Sequence, residues 1–156
     1  MLKRTITGVA LIAVLVIVLL FLPKVFSFIL VAFMAMMATD ELLRGTGLVD
    51  NQRLHLYANL MAFVMVYTSY LGNTHGHVLL WVLVGTVACF SEMLRTSGQL
   101  PFQQVAMTMV AGLLIPFLLS ALVRIRVMEN GVFFIAAPFV MAFLTDTGAY
   151  LIGCAF

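Results

Sequence analysis

The sequence predicts an all-α integral membrane protein, a polytopic helical bundle with about six transmembrane helices. Three observations lead there. Hydrophobic residues fill 64% of 156 positions and charged residues only 9%, about a third of the charged share of a soluble domain. The apolar residues gather into six runs of 17 to 22 residues, the length a spanning helix needs. Only short polar breaks separate them, so residues 1–156 read as a single transmembrane helical domain without a soluble part.

The first run, Thr5–Leu22, follows Met1-Leu-Lys-Arg and has the look of a secretory signal. No small-residue cleavage site comes after it, so a retained helix is expected. Pro23-Lys24 alone separates it from the second run, Val25–Leu43. One continuous helix would exceed about 50 Å, so the proline is expected to turn a tight helical hairpin. The third to sixth runs are Leu54–Leu71, Val78–Leu94, Phe102–Val123 and Val132–Gly153. Gly45-Thr-Gly, Gly72-Asn-Thr, Thr96-Ser-Gly and Glu129-Asn-Gly mark the breaks. The last run ends at Gly153-Cys-Ala-Phe156 with no polar tail, which reads as the N-terminal portion of a longer protein.

With the N-terminus inside, Lys3, Arg4, Arg44, Arg53 and Arg95 fall on the inner side and Lys24, Arg124 and Arg126 on the outer. This bias follows the positive-inside rule and places both termini in the cytoplasm. The net charge of +2, spread over short connections, excludes nucleic acid as a partner. Cys89 and Cys154 lie in apolar stretches and read as small hydrophobes. Trp81, Tyr57, Tyr67 and Tyr70 read as interfacial anchors or as packing.

Asp146 is the main candidate for function. It lies roughly 21 Å along a helix counted from Val132, and a span stopping before it would be too short to cross the bilayer. An ionisable group at that depth costs at least a few kcal/mol and normally serves a ligand, pathway or partner. Tyr150 stands one turn further on the same face, and Ala142, Ala149 and Gly153 offer small surfaces for close packing. Pro138 is positioned to kink this helix. The carboxylate is expected to bind a metal or orient a polar substrate; the competing reading is an aspartate that clamps helices together.

Two segments echo each other: Ala38-Thr-Asp-Glu-Leu-Leu-Arg-Gly-Thr-Gly47 and Cys89-Phe-Ser-Glu-Met-Leu-Arg-Thr-Ser-Gly98. Glu41 with Arg44, and Glu92 with Arg95, would either supply charge to the Asp146 side or pair three residues apart at helix ends. His55, and His75 with His77, give too few ligands for a zinc site.

Asp146-Thr-Gly-Ala-Tyr150 followed by Gly153 resembles the bacterial phosphatidate cytidylyltransferases (CDP-diacylglycerol synthases). The Lys3-Arg-Thr-Ile-Thr-Gly8 start, Glu41-Leu-Leu-Arg44 and Leu118-Leu-Ser-Ala-Leu-Val-Arg124 agree with that family. The resemblance covers essentially the whole chain, as the N-terminal half of such an enzyme. That family's Ser-Pro-Lys-Lys-Thr-x-Glu-Gly loop and its distal Lys-Arg…Lys-Asp and His-Gly-Gly…Asp-Arg signatures do not occur here.

The resemblance implies an enzyme of phospholipid biosynthesis in the bacterial inner membrane. It would condense CTP with phosphatidic acid to give CDP-diacylglycerol and pyrophosphate, with Mg2+ or another divalent cation as cofactor. Asp146 would be catalytic and a metal ligand, with Thr147, Tyr150, Glu41 and Arg44 at the substrates. Membrane lipids are the expected surroundings, and a homodimer stays open. These 156 residues alone are expected to be inactive. A transporter or assembly subunit using Asp146 as an ion or proton site is the alternative.

Overall fold

The structure, a computed structural model, describes residues 17–19, 21–72, 74–96 and 99–155, with the backbone alone at positions 74, 75, 139, 143, 147, 150, 151, 154 and 155. Most of the first expected span therefore lies outside the described residues. The elements are α1 (Lys24–Thr46), α2 (Gln52–Tyr70), α3 (Thr74–Arg95), α4 (Phe102–Met109), a π-helical segment (Val110–Leu114), α5 (Ile115–Val127) and α6 (Gly131–Ala155). No strand occurs among the described residues.

Among the described residues, the turn expected at Pro23 is present. Residues 17–19 are helical, the chain bends at Leu22, and α1 starts directly after the proline. Ser27 Oγ donates to Val18 O at 3.4 Å, and Leu19 packs into one core with Val31 and Val66. Val18 and Leu19 thus lie back against the inward face of α1. At its other end α1 stops at Gly47, whose φ of 60° is the left-handed conformation that glycine adopts without a Cβ penalty; its N–H bonds Arg44 O at 3.2 Å. Asn51 then caps α2, its side chain accepting from Arg53 N at 3.0 Å.

Packing follows side-chain size. The inward stripe of α1 is Ser27, Val31, Ala32, Ala35, Thr39 and Leu43, while Ile29, Phe33 and Met37 face outward. In lipid, burying apolar surface gains little, and close packing of small residues holds helices together. α2 is central, touching α1, α3, α4, the π segment and α5. Its Ala58 meets Gly112 so closely that a Cβ at Gly112 would lie 2.9 Å from Ala58 Cα.

By length and composition, Lys24–Thr46, Gly76–Arg95 and Phe102–Val127 can cross a membrane, and Gly131–Asp146 is a shorter apolar helix. The central α2 falls below that mark because it carries Arg53, His55, Asn59, Thr68 and Ser69. Its hydroxyls are satisfied internally: Thr68 and Ser69 both donate to Met65 O, at 3.0 and 3.1 Å. The protein is a helical membrane bundle in which the middle helix buries one face against its neighbours.

The helices alternate in direction. Lys24 Nζ donates to Val127 O at 3.1 Å and Arg126 Nη2 to Leu22 O at 3.0 Å, joining the start of α1 to the end of α5 at one face. Arg44, Arg53 and Glu92 come together at the opposite face. α6 starts after a tight turn at Asn130 (φ 59°) and packs on α5, with Ile135 in the core beside Val123.

Candidate functional site

Asp146 lies on α6, fifteen residues after Gly131 and so roughly 22 Å from the Lys24 face along its own helix. It is exposed and has no hydrogen-bond or ion-pair partner among the described residues. Its neighbour Thr145 turns its hydroxyl back to Met141 O at 2.8 Å. Beyond Ile135, every α6 side chain that is described is exposed or half-exposed, including Phe133's successors Met141, Leu144 and Ile152. Asp146 therefore stands on a helix face that nothing among the described residues covers. The side chains of Thr147 and Tyr150 lie outside the described residues.

Glu41 is exposed and unpartnered at the end of α1. Arg44 does not pair with it. Instead Arg44 Nε bonds Asp40 Oδ2 at 2.7 Å, one turn earlier. Asp40 Oδ1 also faces His55 Nδ1 at 3.4 Å, and His55 Nε2 lies 3.1 Å from Val49 O. Met37, Asp40, Glu41, Arg44 and Gly45 line an open hollow at this face. The second echo pair separates likewise: Glu92, only 4% exposed, accepts from Arg53 Nη1 at 3.1 Å, so the expected Glu92–Arg95 pairing is replaced.

The structure thus brings Asp40, Arg44 and His55 together, joins Arg53 to Glu92, and leaves Asp146 apart. No hydrogen bond or ion pair among the described residues connects Asp146 with Glu41 or Arg44. Asp40 was the residue that the Glu-x-x-Arg pattern hid. Its signal was its i,i+4 spacing to Arg44, which suits a helical ion pair at least as well as Glu41's i,i+3 spacing.

Magnesium is commonly held by one or two carboxylates together with substrate phosphates and water. Among the described residues no group of three His, Cys, Asp or Glu converges. Asp146 supplies one carboxylate, so the described residues do not make up a metal centre. Cys89 is free and buried in the core, as a small hydrophobe should be.

What the arrangement offers is a lone carboxylate on an open apolar helix and a basic group, Arg44, oriented by Asp40 at the opposite face from Lys24. No curated protein and no solved structure matches the chain. The sequence profile of the cytidylyltransferase family matches residues 2–156, essentially the full length, and the protein belongs to that family.

Proposed function

We propose that the protein works in phosphatidate cytidylyl transfer, joining CTP and phosphatidic acid into CDP-diacylglycerol. The observation that carries this reading is the unpaired Asp146 carboxylate on an apolar helix, in a chain of the cytidylyltransferase family. In such a transfer a phosphate oxygen of the lipid attacks the α-phosphorus of CTP. The new P–O bond forms as the bond to the bridging oxygen breaks, and pyrophosphate leaves with that electron pair. Catalysis is then largely positioning and charge stabilisation.

Asp146 is acceptor-only when ionised, so it suits a hydroxyl or amino group of a substrate and repels a bare phosphate. A divalent cation would neutralise the triphosphate when bound, and Asp146 is the carboxylate that α6 would offer it. Arg44 keeps guanidinium donors beyond the Nε that bonds Asp40, and these suit a phosphate at the membrane surface. In this reading the Arg44 face is cytoplasmic and the membrane is the bacterial inner membrane. The test is to give the natural gene product, purified in lipid, labelled CTP with phosphatidic acid. CDP-diacylglycerol and pyrophosphate appearing in equal amounts supports the proposal. Proton or cation flux without any nucleotide turnover would favour a transporter instead.

A further inference from the structure

We infer that the groove between α2, α3 and the π segment is a binding site for an anionic phospholipid, holding one acyl tail with the headgroup at Arg53 and Arg95. The groove has a volume of about 250 Å³ and is lined almost wholly by apolar surface, with Tyr57, Met61 and Met65 on α2, Trp81 and Gly85 on α3, and Leu113 on the π segment. Gly85 shapes it: a Cβ there would fall on Met61 Sδ. α3 is among the helices long and apolar enough to cross a membrane, and little of it is buried. The groove therefore opens where hydrocarbon, not water, is the solvent.

Charge at one end selects the lipid. On α2, Arg53 stands one turn before Tyr57; on α3, Glu92 stands one turn after Ala88, which also lines the groove. The Arg53–Glu92 ion pair therefore closes the groove at the Arg44 face. Glu92 is buried, while Arg53 is half-exposed. Arg95, three residues beyond Glu92, is exposed and without a partner among the described residues. The exposed guanidinium groups of Arg53 and Arg95 meet the headgroup there, and they favour a net-negative headgroup over a zwitterionic one, whose ammonium they repel. This site is independent of the proposed reaction, because α6, which carries Asp146, packs on α5 and lines no part of the groove.

The test is photo-crosslinking in phosphatidylcholine vesicles that carry a small fraction of phosphatidylglycerol with a diazirine in its acyl tail. Labelling concentrated on residues 57–65, 81–88 and 113 is the expected result. Val84→Trp fills the groove from an exposed lining position and should abolish that labelling; Gly85→Leu should do the same if it folds. Arg95→Gln should lower it about fivefold, and moving the diazirine to phosphatidylcholine should give a similarly weak signal. Labelling spread evenly over all outward helix faces, or unchanged in Val84→Trp, would overturn the inference.

Discussion

Thr39 shows how one hydroxyl can hold an irregular helix. In a π turn a carbonyl looks to the N–H five residues on. For Ala111 that residue is Pro116, which has no N–H. Thr39 Oγ1 donates to Ala111 O at 3.0 Å and both groups are buried, so α1 supplies the missing donor. Thr39→Val keeps the shape and removes the bond; it should cost about 1 kcal/mol, read as a lower thermal midpoint in detergent. Arg53→Ala strands the Glu92 carboxylate in a buried place. It should cost about 1–2 kcal/mol after allowing for the exposure of Arg53. Arg95→Gln, which breaks no pair among the described residues, should shift the same midpoint little. Side-chain pairing of this kind was the least legible part of the sequence. Glu41 and Asp40 are adjacent candidates for Arg44, and only the observed rotation of α1, with Thr39 and Leu43 inward, shows which of them the guanidinium meets.

At the scale of the elements, boundaries were legible and packing was not. Pro23, Asn51, Pro101 and the Asn130 turn stop or start helices for local reasons, so the apolar runs map onto α1, α2, α3, the α4–α5 rod and α6 within a few residues. The interruption of that rod at Val110–Leu114 was not foreseen, because an apolar run looks the same with or without one wider turn. The close approach of Gly112 to Ala58 was equally hidden. It gives a contrast between two glycines in helices. Gly112→Ala pushes a methyl group into the backbone of α2 and should cost about 1–3 kcal/mol. Gly148→Ala meets nothing within 4 Å and should be neutral or stabilise by up to about 1 kcal/mol through helix propensity. Thermal unfolding of the two variants side by side checks the difference.

At the scale of the whole molecule, the alternating helices deliver Arg44, Arg53 and Glu92 to one face and Lys24, Arg124 and Arg126 to the other, as charge and span count led one to expect. The gathering of Asp146 with Glu41 and Arg44 was an expectation that the described contacts do not supply, since α6 touches the bundle mainly through Ile135 and α5. Its apolar face and its carboxylate are left open together. In the proposed reaction the role of the Asp146 carboxylate is to serve cytidylyl transfer, not merely to clamp helices. That role is tested most directly by measuring CDP-diacylglycerol formation and thermal stability on the same purified preparation of the natural gene product, unaltered and as Asp146→Asn. Asp146→Asn is expected to insert and unfold like the unaltered protein while turnover falls about 10²-fold or more, as when a key electrostatic group is removed. Near-normal turnover in a protein of lowered stability would contradict it.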